Sequence, residues 1–290
     1  MIMKKTFLFL LLFVCCTAIY AEEREDILRL KQEALKGNVV CMTTLAQHYQ
    51  YREHPDFDEA AKWHEMAANA GNRESMRLLA DLYSWHFKDE AKVNYWLGRA
   101  SELEDASTGT GCTYQLAFRY FNGKGTTANT PKAIELWKKC ADGGDGEAMF
   151  WIGCCHFFGQ GVEKDTKKAL EWFDQAASYS SANAMNALAY CHYNGIGQPK
   201  NPQQAVMIYE SVLPYGHCYV MKNMAYCKEH GIGTTPNATE AAQLYQDATA
   251  NIPQRMTEKI NIAFEIGEKT TEQADFKQIW LKKAEQLRQK

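Results

Sequence analysis

Small and apolar side chains recur along the middle of the chain with a period of 36 residues. In each period, three such positions stand zero, four and five residues from a common start, so they share one face of an α-helix. They predict a first helix, helix A, from Cys112, Leu116 and Ala117; Ala148, Ile152 and Gly153; Ala184, Leu188 and Ala189; and Val220, Met224 and Ala225. A second set predicts a partner, helix B, from Ala133 and Trp137; Ala169 and Phe173; Ala205 and Tyr209; and Ala241 and Tyr245. Each period is therefore expected to form a helical hairpin.

Turn-forming and capping residues recur with the same period. A glycine pair ends each helix A, because glycine takes the left-handed conformation that side chains resist. The pairs are Gly123/Gly125, Gly159/Gly161, Gly195/Gly197 and Gly231/Gly233. Each helix B is expected to begin at a residue whose side-chain oxygen accepts from backbone N–H groups, namely Asn129, Asp165, Asn201 and Asn237. Together these periodicities predict a repeat array.

Weaker copies of the hairpin flank the regular ones. Met256, Ile260 and Phe264 keep the phase of helix A, and a polar helix around Phe276, Trp280 and Ala284 suits a cap that faces water. The prediction is a leader at 1–21 and a single solenoid at 22–290, with degenerate repeats at about 34–111, regular repeats at 112–250 and capping helices at 253–290.

The segment from Ala169 to Gly197 carries the pattern of a known family. Its residues Ala169-x-x-Trp172-Phe173-x-x-Ala176-Ala177 and Ala184-x-x-x-Leu188-Ala189-x-x-His192-x-x-Gly195-x-Gly197 resemble the Sel1-like repeat, a relative of the tetratricopeptide repeat. The resemblance covers most of the chain, from Gly37 to Ala250. It implies an all-α fold, an α/α solenoid of about seven antiparallel helix pairs in a right-handed superhelix. It also implies a secreted scaffold that binds a partner.

The N-terminus has the pattern of a secretory signal. Two lysines precede an apolar run from Phe7 to Val14, and small or neutral residues follow up to Ala21. We expect cleavage after Ala21 and a mature protein that is secreted or periplasmic. The alternative is lipid attachment at Cys15 or Cys16, which would anchor the protein.

Composition narrows the classes of partner. Hydrophobic residues make up 46% of the chain, which is enough for a continuous core. The net charge is −3 and no basic stripe is present, so no nucleic-acid partner is expected. No further long apolar run follows residue 21, so no integral membrane span is expected.

Eight cysteines follow the leader, and export raises the question of disulfides. Cys155, Cys191 and Cys227 are equivalent positions in successive repeats, too far apart to pair with one another. Cys112 begins a helix A and Cys140 ends the helix B of the same repeat, so antiparallel packing brings them close. We predict a disulfide between these two and small buried thiols elsewhere.

Candidate chemistry is sparse. Cys154, Cys155 and His156, with Cys191 and His192 one repeat later, hold the side chains that zinc prefers. The histidines stand at a half-buried core phase without a recognised zinc motif, so we predict no metal and no cofactor. The acidic pair Glu102/Glu104 lies in a predicted inserted loop, from Ser101 to Gly111, and is expected to be solvated.

No catalytic residue is predicted. The chain has no Ser-x-x-Lys, no Gly-x-Ser-x-Gly and no Walker loop, and its Gly-x-Gly pairs follow helices rather than strands. The alternative to a binding protein is a hydrolase of cell-wall or β-lactam material, which the resemblance to secreted relatives suggests.

A partner is expected on the inner wall of the solenoid, which helix A lines outside its core phase. The wall is predicted to be polar in the first two repeats, at Thr43, Gln47, Gln50, Arg77, Asp81 and Ser84, and aromatic in the middle. The predicted contact residues are Tyr114, Phe118, Phe121, Phe150, Phe157, Asn186, Tyr190, Tyr193, Lys222 and Tyr226. Rigid rings supply contact area at low entropic cost, which favours a protein or peptide partner. Two alternatives are that the rings pack between helices and that repeat faces self-associate.

Overall fold

Helices form nearly all the regular structure in the part of the chain that the computed structural model describes, residues 25–105, 109–251, 264, 266 and 276–289. No strand occurs in these ranges, so the predicted all-α class is confirmed. The chain divides into two compact units, Met1–Ala128 (unit 1) and Asn129–Lys290 (unit 2). The predicted leader, with Cys15 and Cys16, lies outside the described residues.

Unit 1 is built from helices that pack on their neighbours in sequence. α2 packs on α3, α4 on α5, and the junctions α3–α4 and α5–α6 are also packed. A π-helical turn, Tyr83–Phe87, follows α4. The helices are α1 (residues 25–35), α2 (Val39–Tyr51), α3 (Phe57–Asn69), α4 (Arg73–Leu82), α5 (Glu90–Ser101) and α6 (Gly111–Asn122).

Unit 2 repeats the hairpin with closer regularity. α8 packs on α9, α10 on α11 and α12 on α13, as the predicted pairing of helix A with helix B requires. The helices are α7 (Thr130–Asp142), α8 (Gly146–Phe158), α9 (Thr166–Ser178), α10 (Ala182–Asn194), α11 (Pro202–Val212), α12 (Cys218–His230), α13 (Ala238–Ala250) and α14 (Phe276–Arg288).

The predicted caps begin each helix B of unit 2. In every case a side-chain oxygen accepts a hydrogen bond from a backbone N–H in the first turn, which satisfies a donor that the helix leaves unpaired. The bonds run to Asn129 from Lys132 (3.1 Å), to Asp165 from Lys167 and Lys168 (3.1 Å each), to Asn201 from Gln204 (3.0 Å) and to Asn237 from Glu240 (3.0 Å).

The second glycine of a pair does more than relax the turn. Gly233 has a φ of +68°, and a Cβ there would lie 2.3 Å from the carbonyl oxygen of Pro202 on the preceding helix B. In unit 1, a Cβ on Gly125 would lie 2.5 Å from the carbonyl oxygen of Glu90. These glycines therefore set how closely each turn packs on the helix before it.

The core between α8 and α9 shows why a small residue stands in the middle of helix A. Gly153 faces the Phe173 ring, and a Cβ on this glycine would approach the ring to 2.6 Å. Phe173 is completely buried. Trp137, also completely buried, stacks on Trp151 with 5.7 Å between ring centroids. The apolar stripes of the two helices thus meet as the period predicts.

The C-terminal helix packs on the last described helix B. α14 packs on α13, where Trp280 and Ala284 share a buried cluster with Tyr219 and Tyr245. Met256, Ile260 and Phe264 were expected to keep the phase of a helix A. Phe264 lies in a turn and packs elsewhere in unit 2, whereas Met256 and Ile260 lie outside the described residues.

Glu104 is not the solvated carboxylate that the sequence suggested. Its side chain is 3% exposed, and its two oxygens accept from the backbone N–H groups of Cys112 and Thr113 at 2.8 Å each. The Thr113 hydroxyl donates to the same carboxylate, and Arg73 lies 3.8 Å away. Glu104 therefore caps α6, because the first turn of a helix favours a negative charge. Glu102 is exposed, as expected.

Candidate functional site

The predicted contact residues of unit 2 lie on three helices A, and we call the surface they form the groove face of unit 2. Phe150 is completely buried and Asn186 is completely buried, while Lys222 is 4% exposed. The remaining members are half-buried. The face is contributed by Phe150 and Phe157 of α8; Asn186, Tyr190 and Tyr193 of α10; and Lys222 and Tyr226 of α12.

Phe264 of the same chain packs into this face. Its side chain is completely buried. Five rings surround it, with centroid distances of 5.4 Å to Phe157, 5.6 Å to Tyr190, 5.8 Å to Phe173, 5.9 Å to Phe158 and 6.3 Å to Phe150. These separations suit edge-to-face and tilted ring pairs. The aromatic side chains of α8, α9 and α10 thus form a pocket for one further aromatic ring.

Backbone atoms next to Phe264 are held by two neighbouring residues of α12. Asn223 donates from Nδ2 to the Phe264 carbonyl (2.9 Å) and accepts at Oδ1 from the Ile266 N–H (3.0 Å). Lys222 donates from Nζ to the Ile266 carbonyl at 2.6 Å. Because the Ile266 N–H needs an acceptor, it fixes the orientation of the Asn223 amide.

Asn186 anchors this arrangement from the next helix A. Its Oδ1 accepts a second hydrogen bond from Asn223 Nδ2 at 2.9 Å, and both asparagines are completely buried. Buried amides are costly unless they are hydrogen-bonded. Asn186 Nδ2 has no hydrogen-bond partner among the described residues. The pair is therefore a polar element kept inside an otherwise apolar wall.

The aliphatic side chain of Ile266 fills a second pocket beside the aromatic one. It is 2% exposed and belongs to a buried cluster with Val206, Tyr209, Val220 and Met224. Burial also raises the pKa of the Tyr209 phenol well above its ordinary value. The face thus presents an aromatic pocket, a strip of backbone-binding groups and an aliphatic pocket in succession.

Charged partners surround the α12 end of the face. Glu229 binds Lys283 of α14 at 3.1 Å and accepts from the Tyr245 hydroxyl at 3.1 Å. Burial, with the nearby Glu229 carboxylate, raises the pKa of Tyr245. Tyr226 packs on the His230 ring at 4.3 Å between centroids. These contacts tie α14 to the groove side of α12 as well as to α13.

In unit 1 the predicted contact residues form a different surface, the groove face of unit 1. Tyr114 and Phe118 pack together with 5.1 Å between ring centroids and line a cavity of about 350 Å³ with Arg119 and Lys124. Phe121 is half-buried on the same helix. Arg119 forms an ion pair with Glu90, which holds the pKa of that carboxyl below its usual value.

The positions predicted for the polar part of the wall, in the first two repeats of unit 1, make contacts within the unit. Arg77 pairs with Asp81 at 2.8 Å and with Glu74 at 2.6 Å on the surface of α4. Gln50 of α2 bonds the buried His64 ring at 3.1 Å. Burial lowers the pKa of His64 to about 4. Polar side chains here satisfy one another within the unit.

Three residues of the unit 2 site were missed by sequence reasoning. Asn223 stands one position after the offset that was assigned to the wall, and Phe158 and Phe173 were assigned to other roles or to none. The available signal was the Lys222–Asn223 pair within the apolar first part of α12, because polar residues that interrupt a core stripe need partners. The site is therefore wider than the predicted offsets.

The predicted disulfide is not formed in this structure, where all eight described cysteines are thiols. Cys112 belongs to unit 1 and Cys140 to unit 2, and both are buried. Burial, reinforced by the neighbouring Glu104 carboxylate, raises the pKa of Cys112 to about 12. A high pKa disfavours the thiolate through which disulfides form. The bridge stays a prediction.

The cysteine and histidine run of α8 does not assemble with other ligands. In the described part of the chain, no group of three or more His, Cys, Asp or Glu side chains could hold a metal ion. Burial raises the pKa of Cys155 to about 12 and lowers the pKa of His156. Both shifts fit residues that support the hydrophobic core.

Comparison with known proteins agrees with the hairpin frame. The model of the Sel1 repeat matches residues 41–72, 111–145, 146–178, 182–211 and 219–251, more than half of the chain. A search of curated proteins found no match. Among the helices of the described ranges, none has the length and apolar character needed to cross a membrane.

Solved structures with the same fold include two bacterial proteins. A protective antigen present in uropathogenic Escherichia coli strains, displaying an SLR fold, is 22% identical with a TM-score of 0.64 over 77% of this chain. The chain spans 48% of that antigen, about half its length. A Sel1 repeat protein from Oxalobacter formigenes is 24% identical with a TM-score of 0.60, covering 73% of this chain and 88% of its own. The repeat frame, its caps and its match to the family model together show that the chain belongs to the Sel1 repeat family.

Proposed function

We propose that the protein is an exported scaffold whose unit 2 binds a peptide segment of a protein partner on its groove face. The leader pattern at 1–21 supports export, and the Sel1 repeats support a role in protein interaction. The proposal is a binding role, and no reaction is part of it.

One observation carries the proposal: the groove face already binds the backbone of a chain segment that is not part of a helix A or helix B. Asn223 contacts the carbonyl of one residue and the N–H of the residue two positions later. Adjacent strands in a parallel ladder bind the same pair of groups. Main-chain hydrogen bonds of this kind give affinity for peptides of any sequence, and side-chain pockets add specificity.

The test places a photoreactive amino acid at the position of Tyr226, which is half-buried beside Lys222 in a small cavity of the groove face. The mature chain is irradiated in envelope and culture extracts, and cross-linked peptides are identified by mass spectrometry. We expect one partner protein, cross-linked through a short continuous segment. Tyr215, which is 72% exposed in unit 2, is the matched control position.

Two further variants test whether the cross-link depends on the aromatic pocket. Tyr190→Ala removes one wall of the aromatic pocket and is expected to reduce the yield of the cross-link several-fold. Tyr215→Ala is expected to leave the yield unchanged. Equal yields from both photoreactive positions, or a yield that Tyr190→Ala does not change, would reject the groove face as the binding site.

A further inference from the structure

The groove face of unit 2 already has an occupant within the chain, and we infer that Phe264 and Ile266 are an internal competitor for the partner peptide. The partner would carry an aromatic residue followed, two positions later, by an aliphatic one, and would bind after displacing these residues. This inference rests on the proposed function, since it names the chemistry of the ligand and the way in which access to it is controlled.

The contacts of Phe264 and Ile266 are those of a bound peptide. Three hydrogen bonds go to backbone atoms, two through Asn223 and one through Lys222, and would be available to any peptide. Two further contacts are side chains in separate places, the Phe264 ring among five rings and Ile266 in a cluster of Val, Met and Tyr side chains. Specificity for an aromatic and then an aliphatic side chain follows from this order of pockets.

The end of the repeat array is closed without these two residues. α14 covers α13 through Trp280, Ala284 and Leu287, which are buried with Tyr245. Phe264 and Ile266 instead contact helices from α8 to α12. The residues that cap the last hairpin and the residues that occupy the groove face are therefore different, and the second set can leave while the first remains.

Chain length allows such a displacement. Residues 251–263 connect α13 to Phe264, and residues 267–275 connect Ile266 to α14. At about 3.3 Å per residue, connections of this length can reach on the order of 30 Å. Because Phe264 and Ile266 belong to the same chain as the groove face, they compete intramolecularly with a peptide that is added at micromolar concentration. Occupied wild-type protein should therefore bind such a peptide weakly.

The experiment uses a fluorescein-labelled synthetic peptide with the sequence of residues 259–269, and fluorescence anisotropy as the readout. The double variant Phe264→Ala/Ile266→Ala of the mature chain is expected to bind it about tenfold more tightly, or more, than the wild type. A peptide with Ala in place of its Phe should lose this binding. Tyr215→Ala, which removes an exposed aromatic side chain, should bind like the wild type.

Circular dichroism shows whether the variant keeps its helices. If the double variant unfolds, Phe264→Leu carries the test, because leucine keeps apolar volume but loses the ring contacts; an intermediate gain in affinity is expected. Adding Tyr190→Ala to the opened variant should reduce peptide binding about tenfold, since Tyr190 is a wall of the aromatic pocket.

Three results would overturn the inference. Equal affinity of the folded variants and the wild type would show that these residues do not compete, while the proposed function would stand. Absence of peptide binding by a folded, opened variant would show that Phe264 and Ile266 only complete the core, and the cross-link from Tyr226 would then decide the proposed function separately. A concentration-dependent dimer that the double variant abolishes would show exchange between copies instead.

Discussion

Equivalent repeat positions carry side chains of different chemistry in the two units, charged at Asp81 and aromatic at Tyr190. In the first two repeats of unit 1, the predicted wall holds Arg77 and Asp81, which pair with each other. In unit 2 the equivalent of Asp81 is Tyr190, whose ring contacts the buried Phe264. The hairpin frame is shared, so the difference lies in side chains that the frame leaves unconstrained. A repeat array can thus change what a face binds without changing how its helices pack.

Physical chemistry explains why the α4 wall and the unit 2 groove face have different neighbours among the described residues. The polar side chains of α4 satisfy one another and remain partly exposed, so water is an adequate neighbour for them. The rings of α8 and α10 would form an exposed apolar patch, which soluble proteins usually cover with a partner or with their own chain. Phe264 and Ile266 provide that cover in unit 2.

The largest expected effect distinguishes Phe173, a ring of the core, from Phe264, the ring that packs into the groove face. Phe173→Ala should lower the free energy of unfolding of unit 2 by about 3–5 kcal/mol, because it leaves a cavity against Gly153. Phe264→Ala should lower the free energy of unfolding by less, about 2 kcal/mol or below. The loss cannot exceed the free energy by which Phe264 and Ile266, in the groove face, stabilise the folded chain. Urea unfolding followed by circular dichroism measures both. Equal costs would identify Phe264 as ordinary core.

The next effect tests the frame that the units share. Gly233→Ala in unit 2 and Gly125→Ala in unit 1 should each lower the free energy of unfolding by about 2–4 kcal/mol, because both combine a positive φ with a clash against a carbonyl oxygen. Gly71→Ala is the control, since its φ is +91° but nothing lies within 4 Å of the added Cβ. We expect Gly71→Ala to lower the free energy of unfolding by about 1 kcal/mol, and urea unfolding measures all three variants. If Gly71→Ala lowered the free energy of unfolding as much as the other two substitutions, the positive φ alone would explain all three losses, without the clash.

Local signals were sufficient to predict the frame. The asparagine and aspartate caps act within one turn of the residue itself, and Asn129 and Asn237 bond the N–H groups that their spacing predicted. The positive φ of Gly123 likewise follows from its place at the end of a helix A. Interactions of this range are readable from the order of residues.

Long-range partners were not predictable from the same period. Glu104 lies in a stretch with no repeat phase, and its role as a cap depends on how the loop returns to α6. Phe264 has the phase of a helix A, but its ring contacts α8 and α10 while α14 takes the place on α13. Periodicity records which residues share a helix face and not which face a later segment meets.

A smaller effect depends on pH and involves one histidine in each unit. Burial lowers the pKa of His64 and of His217 to about 4, below the ordinary value of 6.5. Between pH 6.5 and pH 4 the unfolded chain therefore binds protons that the folded chain does not. The free energy of unfolding should fall as pH falls through this window, by up to about 3 kcal/mol per histidine. Urea unfolding at pH 7 and pH 4.5 measures the loss.

His217→Asn assigns the part of that loss that belongs to His217. The His217 ring accepts from the Val220 N–H at 3.3 Å as the cap of α12, and protonation removes this acceptor. Asparagine caps helices well and does not titrate, so the variant should keep the helix and lose about half of the pH dependence. A pH dependence that the variant leaves intact would place the whole effect in unit 1 or in other groups.

The smallest effect returns to the equivalent positions Asp81 and Tyr190. Asp81→Ala breaks an ion pair whose side chains are 40% and 47% exposed, and solvent screening limits the loss to about 0.5 kcal/mol. Tyr190→Ala removes a half-buried ring from the pocket around Phe264, which should cost about 1–2 kcal/mol from lost apolar burial. Both are measured by urea unfolding at pH 7. If both substitutions lowered the free energy of unfolding equally, Phe264 would not account for the difference between these two positions. A larger loss for Tyr190→Ala that disappears when Phe264 is also Ala would show that the contact with Phe264 makes the difference.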